Sequence, residues 1–215
     1  MAYHPHMTYP VTLSVEPALT NRNRLTTAFR LILAIPHILL VGGAGFSVAL
    51  GSNRGGMTSV GTQGGLLGLV AWILAIVSWF TILVTGGHND SIRQYTKFYL
   101  RWRVRGLAYL MLLEDPYPPF GDEPYPTSLT IADPEKRDRL SVAFRLFLLI
   151  PHLIVLIFVM IAWSITAIIA WFIILFTGAY PKSLFDFGVG ALRWLVRVET
   201  YALLMVDEYP PFSLT

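Results

Sequence analysis

The chain has 215 residues, of which 54% are hydrophobic and only 13% are charged, and its mean hydropathy is +0.57. This composition excludes an ordinary water-soluble surface and indicates an integral membrane protein. The absence of cysteine excludes disulfides, iron–sulfur clusters and thiolate zinc sites.

The chain opens with a polar segment that predicts a short strand. From Tyr9 to Glu16, apolar and polar residues alternate, which is the period of a half-buried strand. A second Tyr-Pro segment, Tyr125 to Ile131, has the same character. We therefore expect two short strands, which we place on the cytoplasmic side of a membrane.

A motif that occurs twice shows that the chain is a tandem duplication. Ala-Phe-Arg-Leu followed by Ile-Pro-His occupies residues 28–37 and returns at residues 143–152. The polar segment before it and the aromatic-proline segment after it are repeated as well. The prediction is two parallel repeats, residues 1–121 and 122–215.

The first repeat predicts a transmembrane helical hairpin. Leu31 to Leu50 and Leu66 to Thr85 carry no charge, and each would be about 30 Å long as a helix, the thickness of a bilayer core. A Gly-rich stretch over residues 51–65 lies between them. We predict spans over about 25–50 and 66–85, joined by a flexible loop.

The second repeat is ambiguous because 23 residues fewer separate its histidine from its matching tryptophan (positions 152 to 171 against 37 to 79). The uncharged run 146–177 would form a helix of about 48 Å, too long for one average span and too short for two. One long tilted helix would put the Arg-rich segments of the two repeats on opposite sides, against the positive-inside rule. We favour a tight hairpin over about 140–160 and 163–178, and leave the long helix and a re-entrant pair open.

After each hairpin the sequence predicts an interfacial amphipathic helix, over about 91–113 and 184–205. Basic residues fall on one face of the first and aromatic residues on another. Beside a membrane, such a face favours anionic lipid headgroups over nucleic acid. The residues predicted to contact lipid or anions in this way are Arg93, Lys97, Arg101, Arg105, Arg193 and Arg197.

The ordered motifs resemble those of a known family. They are a Tyr-Pro strand, an Ala-Phe-Arg-Leu helix with Ile-Pro-His, a Trp-Phe segment ending in Thr-Gly, an Arg-Trp helix and a terminal Tyr-Pro-Pro-Phe. Together they resemble a bacterial family of small integral membrane proteins, frequent in actinobacteria and described only as a domain of unknown function. The resemblance spans nearly the whole chain twice, and the Gly-rich insertion of the first repeat departs from it. It implies no activity.

An arginine lies inside each apolar segment. Arg30 and Arg145 are about 9 Å into their helices, within reach of the interface for a long side chain. We favour snorkelling or contact with a lipid phosphate. An ion pair with Asp115 or Asp207, which recur in the two repeats, stays open.

A histidine follows the proline of each repeat. His37 and His152 are favoured as hydrogen-bond donors to the carbonyl that each proline leaves free. The alternatives are a haem held between the two histidines and a proton or ligand path. These residues are the only cofactor candidates that the sequence offers.

The resulting expectation is an all-α membrane protein with two tandem repeats, multi-pass in a bacterial cytoplasmic membrane and with both termini in the cytoplasm. Catalytic motifs and metal-ligand spacings are missing from the sequence, so we expect neither an enzyme nor a metal site. We predict an accessory or scaffold subunit that contacts lipids and a membrane-protein partner or a second copy. A small transporter with a site near the paired histidines is the alternative.

Overall fold

The computed structural model describes residues 9–43, 60–133 and 138–215, so residues 44–50 of the first predicted span and part of the predicted Gly-rich loop lie outside the described residues. Helices make up most of the described chain. Its elements in chain order are β1 (Val11–Val15), α1 (Arg24–Ala28), α2 (Arg30–Val41), α3 (Val60–Thr85), α4 (Asp90–Leu110), β2 (Thr127–Ile131), α5 (Arg139–Thr177) and α6 (Lys182–Ala202).

Both predicted strands are present, and they pair with each other across the two copies. In this antiparallel ribbon Val11 lies opposite Ile131 and Leu13 opposite Leu129. All four side chains are buried in the core, while the residues between them are exposed. The alternation in the sequence thus corresponds to a ribbon with one face packed on the protein core and the other exposed.

The apolar run of the second copy forms one continuous helix. α5 has 39 residues, which corresponds to about 58 Å. It begins after Asp138, whose side chain accepts a hydrogen bond from Leu140 N, and it ends at Gly178 in the left-handed conformation. The hairpin predicted over 140–160 and 163–178 is therefore wrong, and the alternative of one long helix is confirmed. Its proposed turn has no glycine or proline, so nothing there stops the helix.

In the first copy, α3 starts against the last turn of α2. The helical conformation of α3 is interrupted at Gly65 (φ 64°, ψ −169°). A Cβ atom at this glycine would lie 2.5 Å from the carbonyl oxygen of Leu40 and 2.6 Å from the nitrogen of Gly42. The direction in which α3 leaves this point decides between a hairpin and a single interrupted helix.

Contacts with the two ends of α5 give that direction. The indole of Trp79 in α3 donates to the carbonyl of Val142 near the start of α5 (2.9 Å), and the indole of Trp171 near its end donates to the carbonyl of Thr27 (2.8 Å). These two points on α5 are about 43 Å apart. A hairpin would bring Thr27 and Trp79 together, whereas α2 and α3 laid end to end give the observed separation.

The hairpin predicted over 25–50 and 66–85 is therefore also wrong. α2 and α3 follow one course that is interrupted between Val41 and Gly65. A Gly-rich insertion in an apolar run is typical of the turn of a hairpin. Glycines with positive φ can equally end one helix and begin another along the same direction. Gly42 (φ 82°) and Gly65 both have such values.

The two long helical courses run antiparallel, and equivalent contacts fasten both ends. Trp79 and Trp171 are matching residues of the two copies, and so are the residues that accept their hydrogen bonds. Further main-chain bonds join Arg22 N to Gly178 O (3.0 Å) and Tyr180 N to Leu19 O (2.7 Å). Each end of the pair of long helices is therefore held by contacts between the two copies.

The two helices predicted to be interfacial lie in the protein core. Leu100, Val104 and Leu107 of α4 are fully buried, as are Leu192 and Val196 of α6. α4 packs along α2 and the start of α3, α6 packs along α5, and the two helices also contact each other. Both lie on the same side of the long helices. Both helices are therefore packed against the long helices by one face, and their place at a membrane interface stays a prediction.

The outer faces of the long helices are apolar and exposed. Phe147, Phe158 and Phe176 of α5 are 71%, 68% and 78% exposed. Among the described residues, two helices could cross a membrane by length and composition, Gly64–Thr85 and Arg139–Thr177, and α2 is a shorter apolar helix. The described structure thus has a polar layer of α4, α6 and the ribbon beneath an apolar layer of long helices.

Candidate functional site

Arg30 is buried at the start of α2 and binds the C-terminal end of α4. Its Nη1 donates to the carbonyls of Tyr109 (3.3 Å) and Glu114 (2.7 Å), and its Nη2 donates to the carboxylate of Asp115 (3.0 Å). Its guanidinium carbon lies 4.1 Å from the centre of the Tyr109 ring. A cation at this place satisfies carbonyls that a helix end leaves free and complements the helix dipole.

The second copy repeats this arrangement around Arg145. Its Nη1 donates to the carbonyl of Tyr201 (2.9 Å) and its Nη2 to the carboxylate of Asp207 (2.8 Å), and the guanidinium carbon lies 4.3 Å from the centre of the Tyr201 ring. The chain turns sharply just after each helix, at Leu112 (φ 66°) and Leu204 (φ 63°). These turns aim the carbonyls and the aspartate at the arginine.

The structure decides between the two interpretations of these arginines. Only 1% of the surface of Arg30 and 1% of that of Arg145 is exposed. The predicted snorkelling or lipid contact is therefore contradicted, and the ion pairs with Asp115 and Asp207 are confirmed. Arg30 thus holds α2 against the end of α4, and Arg145 holds α5 against the end of α6.

His37 lies about two helical turns beyond Arg30, within an aromatic cluster. Its Nδ1 accepts a hydrogen bond from the indole of Trp102 (3.0 Å). Its ring stacks on Phe120, with centroids 4.7 Å apart and planes at 17°, and also touches Tyr117. Because an indole N–H only donates, Nδ1 carries no proton and the imidazole is neutral with its proton on Nε2.

His152 has the same surroundings in the second copy. Trp194 donates to its Nδ1 (3.2 Å), and Phe212 stacks on its ring with centroids 3.9 Å apart and planes at 10°. Tyr209 completes the cluster. From the sequence, we expect each histidine to donate a hydrogen bond to the carbonyl that the preceding proline leaves free. Nδ1 does not do so, because it accepts a hydrogen bond from an indole in both copies.

The two histidines do not fit a shared haem. Each is at most 1% exposed, has one ring nitrogen occupied by an indole and one ring face covered by a phenylalanine. His37 is packed by aromatic residues of the first copy and His152 by those of the second. Haem ligation requires a ring nitrogen that faces an open pocket, and this packing closes it.

The four cations of the basic stripe of α4 pair with two aspartates of the chain, which offset part of its charge. The pairs are Arg93 with Asp133 (3.3 Å), Lys97 with Asp133 (2.7 Å), Arg101 with Asp122 (2.9 Å) and Arg105 with Asp122 (3.1 Å). The hydrogen bond from Lys97 is the main cause that lowers the pKa of Asp133. The stripe borders solvent, and its role in headgroup contact stays a prediction.

The two basic residues predicted in the second copy bind the C-terminal segment. Arg193 donates to the main-chain oxygen of Leu214 (3.0 Å) and Arg197 to that of Thr215 (2.8 Å). The guanidinium of Arg197 also lies 5.5 Å from the ring centre of Tyr9. These contacts hold the last residues against α6.

A buried ion pair that the sequence analysis missed joins the two copies. Arg103 of α4 places Nε 2.9 Å from both carboxylate oxygens of Glu199 in α6. Its Nη1 donates to the carbonyl of Val41 (2.7 Å), the last residue of α2. Arg103 thus satisfies the end of α2 where the first long course is interrupted.

This ion pair forms the floor of a cleft of about 640 Å³ between the long courses. Apolar side chains of α5 form one wall and Trp72 of α3 contributes to the other. Leu149, Leu153 and Leu156 are examples from the first wall. The cleft is mainly apolar, which suits hydrocarbon rather than a polar substrate.

A second missed polar group lies beside the ribbon. Glu114 is 1% exposed and its carboxylate accepts a hydrogen bond from Thr127 Oγ1 (2.8 Å). Burial raises the pKa of Glu114 to about 7, although the bond from Thr127 and the charge of Arg22 oppose this shift. Glu114 therefore titrates near neutral pH instead of being fully ionised there.

Some of these partners could have been found from the duplication. The Arg-Trp pair and the terminal Phe recur together with each Pro-His pair, which is a signal that they touch. Arg103, Glu199 and Glu114 have apolar residues at the matching positions, so repetition gives no sign of them. In residues 9–43, 60–133 and 138–215, no group of three His, Asp or Glu side chains could hold a metal ion.

The chain matches a family whose description reads Domain of unknown function (DUF4389), over residues 62–121 and 139–213. Because these segments make up more than half of the sequence, the chain belongs to this family. One segment lies in each copy, and together they include α4, α5 and α6. Searches of curated proteins and of solved structures gave no match.

Proposed function

We propose that this protein is a non-enzymatic protein of the bacterial cytoplasmic membrane that acts through contacts with lipids and with a partner, as an accessory or scaffold subunit. The observation that carries the proposal is the outer face of the long helices. Leu146, Phe158 and Phe176 of α5 are 67%, 68% and 78% exposed. So large an apolar face on a small chain requires an apolar environment.

The role of the reactive side chains supports a non-enzymatic function. Arg30, Arg145 and Arg103 are buried and bound by carboxylates and main-chain carbonyls. His37 and His152 are enclosed by aromatic rings. A catalytic group must reach a substrate, whereas these five groups reach other parts of the same chain.

The distribution of basic residues supports a cytoplasmic polar layer. Lys97, Arg101 and Arg105 project from α4, and Arg193 and Arg197 from α6. The cytoplasmic side of membrane proteins is enriched in such residues. We therefore propose that the ribbon, α4, α6 and both termini are on the cytoplasmic side.

The transport alternative receives less support than the scaffold function. A transport path requires the paired histidines to face a common passage between the repeats. His37 and His152 instead face the closing aromatic residues of their own copies. pH-dependent flux through proteoliposomes that disappears in His37→Ala would restore the transport alternative.

Membrane retention tests the proposal directly. We expect the protein to stay in the membrane fraction after alkaline carbonate treatment and to float with vesicles. Phe158→Asp combined with Phe176→Asp should release it, because a buried carboxylate costs about 2.5 to 3.5 kcal/mol in a membrane. Ser128→Asp on the exposed side of β2 is the matched control and should be retained. Retention of the double variant and the control alike would reject the apolar face as the membrane contact.

The scaffold part of the proposal predicts a stable complex. After extraction in mild detergent, the protein should migrate above the mass of its 24.1 kDa chain with its detergent micelle. Crosslinking and mass spectrometry would distinguish a second copy from a different membrane protein. A monodisperse single chain that carries no partner would contradict the scaffold function.

A further inference from the structure

We infer that the two long helical courses lie in the plane of a single membrane leaflet, with α4, α6 and the ribbon outside the hydrocarbon, and that the chain does not cross the bilayer. This inference rests on the proposed membrane location and names the geometry of the contact. The partner is the acyl-chain region of one leaflet, and the surface is the outer face of α2, α3 and α5.

The length of α5 argues against a crossing. Its 39 residues span about 58 Å, and its uncharged part alone spans about 48 Å, against a hydrocarbon core of about 30 Å. To fit the uncharged part across that core, the helix would have to tilt by about 50°, beyond the usual range of up to about 40°. A helix in the plane of the membrane has no such limit.

The position of α4 argues in the same direction. Its Trp102 reaches His37 near the end of α2, and its Tyr95 reaches the carbonyl of Leu67 at the start of α3 (2.9 Å). α4 therefore lies beside the middle of the long course formed by α2 and α3. If this course crossed a bilayer, the charged helix would lie at the centre of the membrane.

The side chains at that position are exposed as well as charged. The side chain of Arg101 is 38% exposed and that of its partner Asp122 is 41% exposed, while Asp133 is 50% exposed. Charges at the membrane centre are costly and are normally enclosed by protein or by a water-filled cavity. Open charges beside the middle of the long helices fit water or headgroups, not hydrocarbon.

The pattern of burial on α5 completes the argument. Its buried residues form one stripe at intervals of three, four or, once, seven residues, from Val142 near one end to Ile174 near the other. The polar layer thus covers a single side of the helix over nearly its full length, and the opposite side is apolar throughout. A helix about 10 Å wide fits within one leaflet, as interfacial helices do.

Both copies present their apolar faces in the same direction. α4 and α6 touch through Arg103 and Glu199, so they lie on one side of the two antiparallel courses. The apolar layer is therefore about 20 Å wide, two helix diameters, and about 58 Å long. Its shape and its uniformly apolar side chains fit one leaflet. The charged residues of α4 and α6 lie on the opposite side of the two courses.

The absence of cysteine allows depth to be measured with single introduced thiols. Phe147, Phe158 and Ile169 are all exposed and are spaced by eleven residues, so they lie on one face of α5 over about 33 Å. Each would be replaced by cysteine, spin-labelled and reconstituted in phosphatidylethanolamine–phosphatidylglycerol vesicles. Accessibility to oxygen and to a water-soluble nickel complex then gives the depth of each label.

We expect the three labels at nearly equal depth, within about 5 Å, since an interfacial helix inserts by only about 5 to 10 Å. Ser128→Cys on the ribbon is the control and should be open to the aqueous reagent. A deepest label at position 158, with 147 and 169 near opposite surfaces, would overturn the inference while leaving the membrane location intact. Labels that show no immersion, on a protein that dimerises in buffer without lipid, would overturn both and identify a second copy as the partner of the apolar face.

Sidedness provides an independent measurement. Leu140 is 69% exposed at the start of α5, and Thr177 at its end is also exposed. Cysteines introduced at these two positions should react with a membrane-impermeant maleimide from the same side of sealed vesicles. Reaction from opposite sides would overturn the inference.

Discussion

In the second copy α5 runs from Arg139 to Thr177 without a break, whereas the first copy divides the same course between α2 and α3. In the first copy α2 ends at Val41, and Arg103 donates to the carbonyl of this last residue. Leu195 is at the matching position of the second copy, where the helix continues. The end of α2 is therefore bound by a cation that the continuous helix α5 does not need. The charge of this cation, Arg103, is in turn balanced by Glu199.

At the arginine and histidine contacts the copies agree. The Arg30 and Arg145 sites bind the same kinds of groups over similar distances, and so do His37 and His152. The two contacts of the first copy lie before the point where its course is interrupted. The insertion therefore changes the middle of the helix without disturbing the contacts that hold it to α4.

A second difference between the copies lies at the ribbon. Glu114 of the first copy and Thr127 of the second form a buried polar pair, while the matching pair, Val206 of the second copy and Val11 of the first, is apolar and buried. The same fold thus accepts a polar or an apolar pair at this place. The chain itself supplies the substitutions that test each difference.

The largest expected effect is the loss of an arginine that both copies share. Arg30→Met and Arg145→Met should each lower the free energy of unfolding by about 3 to 5 kcal/mol, because each removes the buried guanidinium that binds a partly buried carboxylate and the carbonyls at a helix end. Arg30→Met should be the milder, since Asp115 keeps Arg22 at 2.9 Å. Chemical unfolding in detergent measures both.

Arg101→Met is the matched control, because its ion pair is about two-fifths exposed. Such pairs contribute at most about 1 kcal/mol. If the two buried arginines cost no more than this control, the structural function of the shared sites would be refuted.

The ion pair specific to the interrupted copy comes next. Arg103→Leu, which introduces the residue found at position 195, should cost about 3 kcal/mol by leaving Glu199 and the carbonyl of Val41 unpaired. Adding Glu199→Leu, which mirrors Leu107, should recover most of the loss, since an apolar pair can replace a buried ion pair. Thermal unfolding of the two variants tests this, and a double variant as unstable as the single one would contradict it.

The sequence predicted the strands, the duplication, the apolar helices and the two acidic partners of the shared arginines. Those features follow from periodicity and from repetition, which are local signals. The course of the chain at the insertion was predicted wrongly because glycines between two apolar runs suit a hairpin as well as an interrupted helix. Only the contacts of Trp79 and Trp171 distinguish them, and these depend on the other copy.

The polar pair at the ribbon should make stability depend on pH. Burial raises the pKa of Glu114 from 4.5 to about 7, so the folded chain favours the protonated acid. Its contribution to stability is fully present below pH 4.5 and is lost as the pH rises to about 7, a change of about 3 kcal/mol. Unfolding curves of the wild type between pH 4 and 8 measure this loss.

Glu114→Val with Thr127→Val, copied from the other half of the molecule, should remove this part of the pH dependence. Thr127→Val alone should raise the pKa of Glu114 further and move the loss of stability to higher pH, because the hydrogen bond that favours the carboxylate is gone. Equal pH profiles for the wild type and the double variant would show that Glu114 does not titrate in this range.

The smallest effect concerns Gly65 and is expected to change sign with the insertion. In the natural chain Gly65→Ala should cost about 2 kcal/mol, because φ is 64° and the new Cβ would collide with the backbone of Leu40 in a conformation suited only to glycine. Deletion of residues 42–64 joins Val41 to Gly65 and restores the spacing of the second copy. There Gly65 would lie inside a continuous helix, where alanine is favoured by about 1 kcal/mol.

Gly65→Ala should therefore destabilise the natural chain and stabilise the deletion variant, as measured by thermal unfolding. Gly87→Ala, whose Cβ has space, is the control and should have the same small effect in both. A deletion variant that fails to fold would show that the insertion supplies contacts which the second copy obtains elsewhere. A positive result requires that α2 and α3 share one axis, because in a hairpin the deletion would force the spans apart and no substitution at Gly65 could recover stability.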